Sequence, residues 1–125
     1  VIESHKVDWR KSSFIGRQQV LNIAPSWLIF VGGLFYQTDF TGVALFPINF
    51  KVPNKLVYTG HIYQNSIPSQ VFDYEEFKIV LNKTQTFVRR NHPFLFGEFE
   101  VGDVNINYWQ WLMRFLKKQI LTGLG

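Results

Sequence analysis

The chain has 125 residues, 46% of them apolar and 18% charged, which fits one domain with its own core and excludes a chain that is disordered by composition. It has no cysteine, which excludes a disulfide scaffold and a thiolate metal site. The net charge of +4 is spread along the sequence, whereas a nucleic-acid-binding surface usually carries a denser stripe of Lys and Arg.

Aromatic residues are unusually frequent, with 13 Phe, 5 Tyr and 4 Trp. Such side chains favour pleated, half-buried strands, and the helix formers Ala and Glu are rare before residue 98. No apolar run reaches the roughly 18 residues that a membrane span needs, and no signal peptide opens the chain. Because the chain begins at Val1 rather than Met, we interpret it as a fragment, a processed product or a trimmed form.

In chain order, the sequence predicts a polar, basic lead-in segment at 1–25 and then a series of short strands. The most apolar run, 27–31, ends at Gly32 and Gly33, which indicates a buried strand with a bulge or kink. The strands predicted in the first half are 18–23, 27–31 with 34–36, 42–46 and 48–52.

The second half begins with a strand at 56–63, whose alternate side chains fall on two faces. A loop at 64–70 follows. Residues 77–81 and 86–90 are predicted to pair as a hairpin around a turn at 82–85.

The C-terminal segment fits two structures. Trp109, Trp111 and Met113 lie on one face of a strand, but the same segment also has one apolar helix face. We favour a strand at 106–113, because its asparagines are weak helix formers, followed by a basic tail or helical turn. Residues 94–101 mix Phe with Glu and match neither pattern clearly.

Strands that recur every 8–12 residues or so, with turn residues between them, are typical of an all-β fold. We therefore predict an antiparallel β-sandwich at 26–125, which follows the lead-in segment 1–25. A short C-terminal helix or basic tail is an open alternative to the last strand.

No motif in the sequence predicts a cofactor, a metal site or a catalytic nucleophile. His5, His61 and His92 are far apart and lack the spacing of metal ligands. Neither a Gly-x-Ser-x-Gly elbow nor a phosphate-binding loop is present. The triplet Asn82-Lys83-Thr84 matches a glycosylation acceptor, but a turn between two strands also explains it.

Glycoside hydrolysis requires a pair of carboxyl groups. Two acidic clusters exist, and we interpret both as solvated loops or strand faces, without a catalytic role. Their members are Asp73, Glu75 and Glu76 in the first cluster, and Glu98, Glu100 and Asp103 in the second.

Five degenerate motifs follow one another between residues 26 and 113. They are Ser-Trp-Leu-Ile-Phe-Val-Gly-Gly at 26–33, a strand ending in Phe-Pro-Ile-Asn-Phe at 41–50, Pro-Asn-Lys-Leu-Val-Tyr-Thr-Gly at 53–60, Thr-Gln-Thr-Phe-Val-Arg-Arg at 84–90, and Asn-Tyr-Trp-Gln-Trp-Leu at 107–112. Their order resembles the C-terminal domains of tailed-bacteriophage tail fibres. The segment after 112 departs from that family, which usually continues with small residues to a glycine.

The resemblance implies a non-enzymatic virion component, the distal domain of a tail fibre, which acts at the host cell surface. It also implies a homotrimer, and the surplus of Phe and Trp fits an apolar flank buried against sister subunits. The implied partners are the sister subunits, other virion proteins and a host surface glycan or protein, without nucleic acid, membrane insertion or a cofactor.

The candidate ligand-binding residues lie in predicted loops that mix polar and aromatic side chains. They are Tyr63, Gln64, Asn65, Arg90, Asn91 and His92. One alternative is a structural or assembly module, such as a baseplate or capsid-decorating domain, which contacts other virion proteins. Another is a depolymerase, which the lack of an acid pair on a defined element disfavours.

Overall fold

The computed structural model describes residues 9–100, 102 and 106–122, and these residues form an α/β structure. The predicted antiparallel β-sandwich is therefore wrong. The elements are α1 (Trp9–Ile23), β1 (Ile29–Gly32), α2 (Leu34–Gln37), β2 (Leu56–Tyr63), α3 (Tyr74–Asn91), β3 (Phe94–Glu100) and α4 (Ile106–Thr122). None of the helices described is long and apolar enough to cross a membrane.

The three strands form one parallel sheet in the order β1-β2-β3. Ile29 of β1 pairs with Leu56 of β2, and Tyr58 of β2 pairs with Phe94 of β3. Parallel neighbours need a long crossover connection, which α3 provides between β2 and β3. The carboxyl ends of all three strands consequently point to the same edge of the sheet.

The prediction of a strand at 56–63 is confirmed by β2, and its alternation sets the two faces of the sheet. Tyr58 and Ile62 are fully buried on one face, whereas His61 and Tyr63 are half-buried on the other. Tyr58 and Ile62 each belong to one of the two apolar clusters, so the first face is the one that the helices cover. The second face is the open face of the sheet.

The hairpin predicted at 77–90 is wrong, because α3 runs through the whole of it. Phe77, Leu81 and Val88 are buried at intervals of four and seven residues, which is the period of a helix. The Asn82-Lys83-Thr84 triplet therefore lies in a helix rather than a turn.

Side-chain capping explains where α3 begins. The Asp73 carboxylate accepts a hydrogen bond of 2.9 Å from the backbone N–H of Glu76. The Glu76 carboxylate in turn accepts one of 2.7 Å from the backbone N–H of Phe72. The first bond satisfies an N–H group that the start of a helix leaves without a partner, and the second holds the residue before the cap in place.

The strand favoured at 106–113 is wrong as well, because this segment is the first half of α4. Tyr108, Leu112 and Phe115 are buried at helical spacing. The Phe77 ring of α3 meets two of them edge-on, with ring centroids 5.5 Å from Tyr108 and 6.1 Å from Phe115. Packing of this apolar face outweighs the weak helix propensity of Asn107.

Three further strand predictions also fail. Residues 18–23 are the end of α1, residues 42–46 are the second half of a short 3-10 helix (Thr41–Val43) and the turn after it, and residues 48–52 are irregular chain that leads to β2. In contrast, residues 94–100, which matched neither pattern in the sequence, form β3.

Helix α1 packs beside β1. The Trp9 indole N–H donates a 2.8 Å hydrogen bond to the carbonyl of Gly32. The buried guanidinium of Arg17 lies 4.4 Å from the ring centroids of both Phe14 and Phe50. The division of the chain after residue 25 stays a prediction.

We expect Phe77→Ala to lower the free energy of unfolding by about 3–5 kcal/mol, because it leaves a cavity where three aromatic rings meet. Chemical denaturation measures this loss. Phe72→Ala is the control, because that ring is 78% exposed and its removal should cost little. Equal losses for the two variants would contradict the assignment of Phe77 to the core.

Candidate active site

A group of polar side chains lies on the open face of the sheet, near the carboxyl ends of β2 and β3. Loops at the carboxyl ends of parallel strands are where α/β proteins place their binding and catalytic groups. The group consists of His61, Tyr63, Glu98 and Glu100.

A bulge at Gly97 puts Glu98 in this group. Gly60 pairs with Phe96, but His61 pairs with Glu98, so Gly97 is an extra residue without a partner. Without it, Glu98 would fall opposite Ile62 and its side chain would turn toward the helices. Bulges commonly re-aim a side chain next to an active site.

A side chain at this bulge would collide with a neighbouring side chain on β2. A Cβ atom at position 97 would lie 2.6 Å from Oγ1 of Thr59 and 3.5 Å from Nε2 of His61. The close approach of β3 to β2 therefore depends on the missing side chain.

Hydrogen bonds connect three of these side chains in series. The Tyr63 hydroxyl donates to Oε1 of Glu98 at 2.7 Å. It is also 2.7 Å from Nδ1 of His61, and the two rings meet edge-on with centroids 5.6 Å apart. The Tyr63 hydroxyl donates its proton to Glu98, so the Tyr63 oxygen accepts a hydrogen bond from His61. This requires the His61 tautomer that carries hydrogen on Nδ1.

Glu98 raises the pKa of Tyr63 to about 12, mainly through this hydrogen bond. Desolvation adds to the effect, as do the negative charges of Glu98 and Glu100. Tyr63 therefore stays a neutral hydrogen-bond donor throughout the pH range in which most enzymes work. The same hydrogen bond holds one oxygen of the Glu98 carboxylate in a fixed position on the open face of the sheet.

Helix α3 supports this site from the other side of the sheet. The buried Gln85 amide donates to the backbone carbonyl of His61 and to that of Thr38, both at 3.5 Å. In addition, the backbone N–H of Phe40 donates to the carbonyl of Thr84 at 3.0 Å. The strand that carries His61 and the loop after β1 are thus attached to the same turn of α3.

The loop after β1 contains α2, which is a single left-handed turn rather than a regular helix, and it presents aromatic rings at the same edge. Phe35, Tyr36 and Gln37 all have positive φ, and Phe35 and Tyr36 are 73% and 86% exposed. Three consecutive left-handed residues other than glycine are energetically costly. A backbone bridge between Leu34 and Asp39 closes the loop at its base and holds this conformation.

The structure separates the six predicted ligand-binding residues into two groups at opposite edges of the sheet. Tyr63 ends β2, and Gln64 and Asn65 form the short turn after it, all at the carboxyl edge. Arg90 and Asn91 end α3, and His92 follows directly, near the start of β3. His92 lies against the ring of Tyr58, and burial lowers its pKa.

The sequence interpretation missed three residues of this group, His61, Glu98 and Glu100. Two of them carried a signal, because His61 and Tyr63 share one face of the predicted strand and Glu98 follows an apolar run that ends in glycine. In the part of the chain that the structure describes, no three His, Asp or Glu side chains could together hold a metal ion.

The family model for cellulase, glycosyl hydrolase family 5, matches residues 7–122. The chain belongs to this family. Family 5 membership agrees with the parallel strands and crossover helix of a TIM-barrel-like α/β fold.

Relatives of this family 5 chain include an endoglucanase of Paenibacillus polymyxa, which is 26% identical over 118 residues that cover 80% of this chain and 30% of that protein. The catalytic domain of the major endoglucanase of Xanthomonas campestris pv. campestris shares the fold, with a TM-score of 0.78, 22% identity and coverage of 98% of this chain and 41% of that one. So does a glutamate-to-alanine variant of the endocellulase of Pyrococcus horikoshii in complex with cellotetraose, with a TM-score of 0.80, 19% identity and coverage of 98% and 40%. The chain spans less than half the length of these relatives.

Family 5 membership overturns the resemblance to bacteriophage tail fibres. The predictions that depended on it are wrong: a non-enzymatic virion component, a homotrimer with virion partners, an assembly module, and a location in the virion. An apolar strand that ends in glycine, which led to that resemblance, also occurs where a parallel strand enters a loop, as β1 does.

We expect Gly97→Ala to lower the free energy of unfolding by about 1–3 kcal/mol, because the new methyl group collides with Thr59. Adding Thr59→Ala should restore part of the loss. Gly16→Ala is the control, because it meets no atom within 4 Å and replaces a helical glycine. Chemical denaturation of the three variants and the parent decides, and a Gly97→Ala protein as stable as the parent would contradict the close approach.

We expect Glu98→Gln to lower the pKa of Tyr63 from about 12 toward the ordinary value of a tyrosine. The raised pKa means that the folded state holds this proton more tightly, so its stabilising effect is present below the pKa of the unfolded chain. That effect is lost as the pH rises through about 12. Titration of tyrosine labelled with carbon-13 at Cζ measures the pKa, with Tyr63→Phe to assign the resonance. An unchanged value in Glu98→Gln would contradict the hydrogen bond.

Proposed function

We propose that this chain forms part of the active site of an endo-acting glycoside hydrolase that cleaves β-linked glucan, and that Glu98 is one of its two catalytic carboxylates. The single observation that carries the residue assignment is the hydrogen bond from Tyr63 to Oε1 of Glu98 on the open face of the sheet. The substrate class follows from the relatives, which are named endoglucanase and endocellulase.

The two carboxyl groups of a glycoside hydrolase have different roles. One donates a proton to the leaving oxygen, and the other acts as an ionised nucleophile or base. The hydroxyl of Tyr63 holds one oxygen of Glu98 in a fixed position on the open face, so Glu98 suits the second role, which needs an oriented carboxylate. One of its oxygens accepts from Tyr63, which leaves the other oxygen to face the sugar.

His61 and Tyr63 act as positioning residues in this proposal. The bond from His61 fixes the Tyr63 hydroxyl, and the hydroxyl fixes the carboxylate. Catalysis depends strongly on such orientation, because a nucleophile must approach the anomeric carbon along a narrow path. Gln64 and Asn65, which follow Tyr63 at the same edge, remain candidate substrate contacts, whereas Arg90, Asn91 and His92 lie at the far edge.

We expect Glu98→Gln to reduce the hydrolysis rate of cellotetraose by at least about 10²–10⁴-fold in the intact protein, because the amide cannot carry the negative charge of a nucleophile or base. Chromatography of the released sugars measures the rate. Glu75→Gln is the matched control, since Glu75 is an exposed α3 residue paired with Lys78. Full activity in Glu98→Gln would remove this residue from the reaction.

A covalent trap separates the two ionised roles. A 2-deoxy-2-fluoro cellobioside with a good leaving group slows the breakdown of any glycosyl-enzyme intermediate. Mass spectrometry of the digested protein should find the sugar on the peptide that contains Glu98 if Glu98 is the nucleophile. Labelling of a different carboxylate would leave Glu98 the role of a base or of a charge that only stabilises the transition state.

A further inference from the structure

A cavity of about 190 Å³ lies between α3 and α4. These helices cover one face of the sheet and Glu98 lies on the other, so the cavity is separate from the candidate active site. Four cationic side chains line it, and no carboxylate is among its described lining residues. The cations are Lys78, Arg89, Arg90 and Lys118.

Arg89 is the buried member of this group, with only 5% of its surface exposed. Its two terminal nitrogens donate hydrogen bonds of 2.6 Å to Oε1 of Gln119 and Oδ1 of Asn82. Both acceptors are neutral amides, and the guanidinium carbon lies 5.0 Å from the ring centroid of Phe115. The positive charge is therefore buried without a negative partner among the described residues.

Burial lowers the pKa of Arg89 to about 10, and the neighbouring charge of Arg90 adds to this effect. An arginine is normally charged at every accessible pH, so such a shift reflects an unfavourable environment for the cation. Buried charges in proteins are ordinarily paired. This cavity offers a place for the missing negative charge.

Three residues that line this space also carry buried hydrogen-bonding groups without a partner. Nε of Arg89, Oγ1 of Thr86 and the hydroxyl of Tyr74 are all buried and have no hydrogen-bond partner in the described part of the chain. Each can donate a proton to an acceptor. Buried donors without acceptors are rare in folded proteins, and a water or an ion is one explanation for such a group.

We propose that this cavity binds one small oxyanion, either a phosphate or a carboxylate group, with Arg89 as its main ligand. The planar guanidinium matches the oxygen geometry of both groups. Thr86 and Tyr74 supply further donors, and Arg90 adds positive charge at the exposed side. The site does not depend on the proposed hydrolase reaction.

Calorimetric titration of the intact protein with inorganic phosphate tests the proposal, at an ionic strength held constant with sodium chloride. Saturable binding at one site is expected. Arg89→Met should weaken it by at least about tenfold, because a charge-assisted hydrogen bond is lost. Lys83→Met is the matched control, since it removes the same charge from an exposed position of the same helix that does not line the cavity. Equal weakening in both variants would reveal a general charge effect and overturn the site.

A second variant keeps the test decisive if Arg89→Met does not fold. Thr86→Val retains the charge and shape and removes only the buried hydroxyl, so it should weaken phosphate binding several-fold without changing the fold measured by circular dichroism. Titration with acetate distinguishes the two kinds of oxyanion. Binding of phosphate supports a free phosphate ion as the ligand, and binding of acetate alone supports a carboxylate group. Failure of both anions to bind the parent protein would overturn the proposal.

Discussion

The pairing of β2 with β3 and its one-residue bulge is the constraint on which the candidate active site depends. A parallel pair brings residues of equal register to the same face, so the bulge at Gly97 places the acidic side chain of Glu98 beside His61. Without the bulge, the regular alternation of side chains along β3 would direct Glu98 into the apolar layer, where an ionised carboxylate is unstable. One residue without a side chain thus converts an unfavourable buried acid into an accessible one.

The two faces of the sheet differ in character, one being apolar and the other polar. The face toward the helices is apolar, and it provides the burial that stabilises the fold around Tyr58, Ile62 and Phe77. The open face carries polar groups whose hydrogen bonds run across two strands. Stability and chemistry therefore draw on alternate residues of the same strand, and a polar residue can occur on β2 without weakening the core.

The sequence contained much of this information, but short apolar runs were ambiguous. The strand at 56–63 was predictable because its alternation is strict, whereas Phe77, Leu81 and Val88 fit a helix only when they are counted over three turns. The acids at 73 and 76 were the capping signal for that helix, although they were interpreted as an exposed connection. The bulge could not be predicted, because the need for glycine at 97 comes from Thr59 on another strand.

Thr84 and Gln85 lie side by side on α3, and between them they hold Thr38, Phe40 and His61. The aromatic loop after β1 and the histidine strand β2 are therefore held by the same turn of α3. Because one turn of α3 holds both, any displacement of that helix would shift the aromatic loop and the histidine strand together. Such a common anchor lets a surface loop with unfavourable torsions keep its place relative to His61.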